Sequence, residues 1–295
     1  MFNHLFDIKK KIRIQTILDK CLNSQPYAFD IARFDEIHPI VSGNKLFKLK
    51  YNIEEAIKLQ KKGILTMGGP FSNHLVATAY LCHTFNMPSI GMVRGEIPKE
   101  LSHTLSSCIN QNMQLIPVER AVFNEKSQVM QRLINEYSDF HFIPMGGSND
   151  AGIRGAAEMT DMVPNFESYD LIFCAIGSGT MTKGIQKKIL PHQQLIGIPV
   201  MKIKPEERED FMLCYGSDKR LKIYFDFAGK GYGKTEPRII EFISQMLDQH
   251  QLPLDFVYTG KLVYAIRLLI EKGAIDRTKK ILAIHSGGLQ GNLSL

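Results

Sequence analysis

No stretch of this 295-residue chain approaches the roughly 20 consecutive apolar residues that a membrane span needs. The basic start, Lys9-Lys10-Lys11, is not followed by an apolar run of signal-peptide length, so a soluble, cytoplasmic protein is expected. Cysteine is scarce and unpatterned. Cys21, Cys82, Cys108, Cys174 and Cys214 are odd in number and share no C-x-x-C spacing, which speaks against a disulfide framework or a zinc site and leaves reduced thiols as the expectation. Nor is there a block of one charge: the formal net charge of +6 is modest, and acids lie between the lysines and arginines along the chain. Nucleic acid is therefore not an expected partner. Internal repeats and low-complexity tracts are also missing.

What is present suits a globular α/β protein, with 44% hydrophobic residues to fill one large unit or two domains. Residues 1–40 read as an irregular leading arm interrupted by Pro26 and Pro39. The spacing of Ile53, Ala56, Ile57 and Leu59 predicts a helix over 51–62, with Gly63 as its stop. Strands are then predicted at 64–67, 89–93, 114–118 and 140–143. Between them come a helix burying Leu75, Ala79 and Cys82, and others over 101–109 and 125–137. Such alternation implies crossovers and a parallel sheet. After Met145-Gly146-Gly147-Ser148-Asn149 a helix is predicted through Ala156 and Met159. A nearly unbroken apolar strand over 170–176 and a strand over 195–200 follow. The next segment, rich in lysine and glutamate and containing Gly229, Gly231 and Gly233, reads as loop. Helices over 237–249 and 261–272 and a strand over 281–284 complete the chain.

Three stretches carry chemistry. In Ser42-Gly43-Asn44-Lys45, flexible polar backbone precedes an amphipathic segment, with Lys48 one helical turn beyond Lys45. Burial and nearby positive charge from Lys48 and Lys50 would lower the Lys45 pKa enough to make its amine a nucleophile; alternatively these lysines form a solvated helix face. Gly177-Ser178-Gly179-Thr180, between a buried strand and a helix, can turn backbone N–H groups inward at a positive helix end, with Ser178 and Thr180 adding hydroxyls. That is a phosphate cradle, unless it is a plain βα turn. A dinucleotide fingerprint fits poorly because its third glycine falls on Thr182, and no G-K-[ST] ending marks a nucleotide loop. Ser72-Asn73-His74, at a predicted helix start, can hold a carboxylate or merely cap the helix, with His74 in a structural hydrogen bond. An activated lysine, a single-phosphate cradle and a carboxylate clamp together point to pyridoxal phosphate and an amino acid.

The joint pattern covers nearly the whole chain: Ser42-Gly43-Asn44-Lys45-x-x-Lys48-Leu49, Ser72-Asn73-His74, Phe142-Ile143-Pro144-x-Gly146-Gly147-Ser148-Asn149, Gly177-Ser178-Gly179, Gly231-Tyr232-Gly233, Tyr258-Thr259-Gly260-Lys261 and His285-Ser286-Gly287-Gly288-Leu289. It resembles the D-cysteine desulfhydrase and 1-aminocyclopropane-1-carboxylate (ACC) deaminase family, pyridoxal-phosphate enzymes of fold type II. The resemblance implies two open parallel-sheet α/β domains like those of the tryptophan synthase β chain. Residues 1–49 with 145–295 would form a large cofactor-binding domain, residues 50–144 a small inserted one, and the assembly a homodimer. Lys45 would be the Schiff-base lysine and the base that moves the α-proton. Lys48, Gly177, Ser178, Gly179 and Thr180 would hold the phosphate, Asn73 the phenolic oxygen, and Ser72 the substrate carboxylate. Tyr232 and Tyr258 would flank the substrate.

Two positions bear on substrate. Thr259 and Ser286 stand where ACC deaminases resemble one another in having glutamate and leucine, which places the chain nearer the desulfhydrases. D-cysteine would give pyruvate, hydrogen sulfide and ammonia; ACC deamination is the alternative, and a binding protein without turnover is an alternative of another class. A nucleotide-binding oxidoreductase rests on fold class alone. Met181 and Val76 depart from the family pattern, where threonine and arginine are common.

Overall fold

The computed structural model describes residues 11–20 and 26–294; Lys9, Lys10 and Cys21 lie outside the described residues. Ten strands pair among them: β1 (Ile14–Lys20), β2 (Pro26–Arg33), β3 (Gly63–Gly68), β4 (Ser89–Arg94), β5 (Met113–Val118), β6 (Phe140–Ile143), β7 (Leu171–Ile176), β8 (Gln194–Pro199), β9 (Leu221–Ile223) and β10 (Ile281–His285). They form a six-stranded sheet of order β1-β2-β10-β7-β8-β9 and a four-stranded sheet of order β5-β4-β3-β6. Every pairing in the smaller sheet is parallel. In the larger sheet β1–β2 is antiparallel and the other pairings are parallel.

Four local expectations are corrected. The leading arm is not irregular: β1 and β2 form a hairpin that extends the larger sheet beyond β10. Tyr27, Phe29 and Ile31 alternate inward, and with Ile17 they pack in the cluster that contains Phe173 and Ile266. Each fully buried side chain of this size contributes about 1.5–3 kcal/mol, which outweighs the breaking tendency of Pro26. That proline opens β2, a position where a missing N–H is tolerated.

The first helix runs Asn44–Lys58, not 51–62. Gln60 turns left-handed at φ +53, and Gly63 opens β3 instead of stopping the helix. Ile57 and Leu59 consequently face outward. The segment between β8 and residue 237 is not all loop, since it contains the short helix Arg208–Leu213 and the edge strand β9. The helix expected through Ala156 and Met159 is two pieces, Asp150–Ala157 and Met159–Met162. The other elements fall within a few residues of expectation.

This topology gathers the chain's unusual loops. Residues 177–179 follow β7 and residues 286–288 follow β10, its parallel neighbour. In the smaller sheet, residues 69–72 follow β3 and residues 144–149 follow β6, again adjacent and parallel. Carboxyl ends of parallel strands are where such sheets present ligand sites.

Candidate active site

Lys45 lies in the first turn of the helix Asn44–Lys58, whose geometry depends on Gly43. Gly43 has φ +61, its N–H donates to the Phe34 carbonyl, and the Asn44 N–H donates to the Ser286 carbonyl. A Cβ on Gly43 would stand 1.9 Å from that Ser286 oxygen. Gly43→Ala is therefore expected to lower the melting temperature by several degrees, since strained backbone alone costs on the order of 1–3 kcal/mol and the 286–288 segment must also shift. Thermal unfolding of the variant checks this.

The Lys45 ammonium donates to Asn44 Oδ1 at 2.7 Å, and Asn44 Nδ2 lies 3.5 Å from Met181 Sδ. Met181 is buried in the core and does not share the hydroxyl cluster of the neighbouring loop. Burial pulls the Lys45 pKa down to about 8, opposed by the Asp255 carboxylate. The amine must be neutral to attack an aldehyde. Reaction of this amine with an added aldehyde should thus accelerate about tenfold per pH unit below about 8 and level off above it, as stopped-flow absorbance would show.

Lys48 is buried and, among the described residues, has no carboxylate partner. Burial, then the positive charge of Lys45, push its pKa well down. Beside both lysines sits His74, held near pKa 3 by burial and by their charge, so it stays neutral. Its Nε2 lies 2.9 Å from Thr66 Oγ1. His74 Nδ1 and Asn73 Oδ1 are buried without hydrogen-bond partners. Two lysines with no carboxylate in ion-pairing distance among the described residues, beside unsatisfied amide and imidazole atoms, describe a site shaped for an anionic, polar ligand.

The remaining expected residues converge on it. Ser178 Oγ and Thr180 Oγ1 lie 3.0 Å apart at the start of the helix Thr180–Gln186, and Gly179 turns left-handed at φ +79. The ring of Tyr258 lies against Gly177, with Cε1 2.9 Å from the position of a Cβ there. Gly146 abuts Ser178 in the same way, and Gly147 abuts Lys48. A Cβ on Gly288 would sit 3.1 Å from Asn73 Nδ2 and 3.7 Å from Asp255 Cγ, so the ends of both sheets meet at this point. Ser72 caps the helix Asn73–Thr84 by accepting from the Leu75 N–H at 3.3 Å. Ser286 is buried and contributes its carbonyl to Asn44.

Tyr258 and Tyr232 are joined by their hydroxyls at 2.8 Å, with rings edge to face. Burial raises the Tyr258 pKa well above its usual value, so this hydroxyl remains protonated and can donate. Thr259 donates its hydroxyl to Asp255 Oδ1 at 2.6 Å and accepts the Asp255 N–H at 2.8 Å. With its proton committed to Asp255, the one free lone pair makes it an acceptor only. Asp255 also accepts the N–H groups of Val257, Tyr258 and Thr259 and is buried. Asp255, Asn44 and Gly288 were not read as site residues from sequence. An aspartate four residues before Thr259 at a helix start was the available signal for the first of them.

The sequence profile of the family described as "Pyridoxal-phosphate dependent enzyme" matches residues 32–287. The chain belongs to that family. Its cofactor is pyridoxal phosphate, and its fold is type II. Among curated relatives, a Thermotoga maritima protein named "Putative 1-aminocyclopropane-1-carboxylate deaminase" is 30% identical over 91% of each chain. The Arabidopsis thaliana mitochondrial bifunctional D-cysteine desulfhydrase/ACC deaminase is 29% identical over 85% of this chain and 70% of its own. A solved ACC deaminase homologue superposes with a TM-score of 0.77, covering 99% of this chain and 95% of the other at 21% identity, a likeness of fold.

The residues present fit the cofactor. Lys45 would hold its aldehyde carbon, and Lys48 with the 177–180 turn its phosphate. Asn73, whose amide oxygen now lacks a partner, has a polar atom to offer. When bound, the group supplies an electron sink for the bond broken at the substrate Cα. No helix among the described residues is long and apolar enough to cross a membrane.

Proposed function

We propose that this enzyme eliminates the β-substituent of a small amino acid, with D-cysteine plus water giving pyruvate, hydrogen sulfide and ammonia. The observation that carries the reading is the neutral Thr259 hydroxyl, fixed by Asp255 beside Tyr258 where a carboxylate would provide a stronger electron sink. A weaker sink suits expulsion of a good leaving group better than opening of a cyclopropane ring. A Yersinia pestis protein named D-cysteine desulfhydrase, 23% identical over 86% of this chain, supports the same direction.

In this reading Lys45 moves the α-proton and the protonated Tyr258–Tyr232 pair steadies the substrate. Ser72, with backbone N–H groups at the start of its helix, binds the substrate carboxylate, and Ser286 lines the cofactor pocket. Residues 1–49 with 145–295 would act as the cofactor domain and 50–144 as the smaller domain. Support for that division is that all strands of the four-stranded sheet lie within 63–143. A homodimeric, cytoplasmic enzyme belongs to the same proposal, supported by the family resemblance and by unpaired Cys82, Cys108, Cys174 and Cys214.

The test is the visible absorbance of the cofactor-loaded protein on adding D-cysteine, L-cysteine and ACC in turn, with sulfide, pyruvate and 2-oxobutanoate assayed. A spectral change with pyruvate and sulfide from D-cysteine alone is expected. Release of 2-oxobutanoate from ACC with D-cysteine inert would replace the proposal by ACC deamination, and a cofactor band unmoved by all three would reject both substrates.

A further inference from the structure

Lys261 stands apart from the chemistry yet is one of the largest fully buried side chains. Its ammonium donates to the carbonyls of Val200 at 3.1 Å, Ala228 at 2.8 Å and Gly231 at 2.8 Å. Three N–H donors meet three carbonyls, which only the protonated amine can do. No described carboxylate is within ion-pairing distance, since Glu236 and Asp255 act on it from further away. The site is also unfavourable for a cation on other grounds, because Lys261 lies in the first turn of the helix Thr259–Glu271, the positive end of the helix dipole. A chain that needed only packing here would be better served by an apolar side chain.

The three carbonyls explain what the charge does. Val200 follows β8, while Ala228 and Gly231 bracket a turn in the glycine-rich loop 228–233, in which Gly229, Gly231 and Gly233 all have positive φ. That loop presents Tyr232, which is 55% exposed and meets Tyr258 edge to face through their hydroxyls, so the contact depends on where the loop is held. Rings of backbone carbonyls are the ligand set that replaces the hydration shell of potassium and similar ions.

We propose that the Lys261 ammonium is a tethered monovalent cation, filling from within the chain a carbonyl cradle that would otherwise take a dissolved ion and fixing the loop that carries Tyr232. Lys261 is thus a positioning residue. The claim about the loop is independent of the substrate; only its kinetic consequence rests on the function proposed above.

The experiment compares the unaltered chain with Lys261→Gln and Lys261→Met in choline, potassium and ammonium chlorides at equal ionic strength. The readout is tryptic cleavage after Lys230 and Lys234, which are exposed within or beside the loop, followed by mass spectrometry. The unaltered chain should be cut slowly and equally in all three salts. The variants should be cut faster in choline and be protected by potassium or ammonium. Their kcat/KM should fall about 10- to 100-fold through misplacement of Tyr232 and recover in the same salts. Potassium dependence of the unaltered chain would overturn the proposal even if neither variant folds. So would a folded variant whose loop stays protected in choline, or one whose loop is loosened and is closed by no cation. Loss of turnover on D-cysteine with the cation-dependent protection intact would count against the substrate alone.

Discussion

Lys45→Ala is expected to abolish turnover, lowering kcat/KM by at least about 10⁴-fold, because in the proposed function it removes both the covalent anchor and the proton carrier. The protein should still fold. Lys45 is only partly buried, its ammonium makes one hydrogen bond, to Asn44, and the turn before it is held by backbone contacts from Phe34 and Ser286. Circular dichroism should therefore overlay that of the unaltered protein while the visible spectrum of the added cofactor reverts to that of the free aldehyde. Retained turnover in a pure Lys45→Ala preparation would refute the assignment of Lys45. A loss of fold would instead show that the amine is structural.

Lys48→Met should move two quantities in opposite directions. Its ammonium is buried beside Lys45 without a carboxylate partner, so in the apo-protein it opposes folding. Methionine preserves the volume and removes that penalty, so the apo-protein melts at a higher temperature. Cofactor affinity should nonetheless drop on the order of 100-fold, the worth of a charged hydrogen bond to phosphate.

The pH dependence has a definite sign. Because the folded pKa of Lys48 lies below its ordinary 10.5, the unfolded chain binds more protons between those two values. Apo stability contributed by this group therefore rises with pH across that window, and the variant lacks the slope. Denaturant titrations at several pH values, alongside cofactor titration by fluorescence quenching, measure both effects. A variant that is less stable without cofactor would show that Lys48 has a structural partner. One that binds the cofactor unchanged would remove it from the phosphate site.

How much of this was legible beforehand follows from the range of each interaction. Strands such as Leu171–Ile176 and the helix burying Leu75, Ala79 and Cys82 are set by local hydrophobic period, so their positions could be read directly. The β1–β2 hairpin could have been read from Tyr27, Phe29 and Ile31, but its placement beside β10 joins residues some 250 positions apart. Local turn residues misled at Gly63, where the left-handed Gln60 had already ended the helix.

The sequence by itself determined the types of chemistry available: a lysine after a flexible turn, a glycine-rich βα loop, and hydroxyl and amide groups at a helix start. Their order along the chain was enough for the family resemblance. Only the tertiary structure decided which charges are left without partners. Burial of Lys45 and Lys48, the stranded amide of Asn73 and the carbonyl cradle around Lys261 all come from elements distant in sequence. The physical reason is that desolvation and electrostatic coupling depend on distances through space and on excluded water, neither of which a linear pattern of residue types contains.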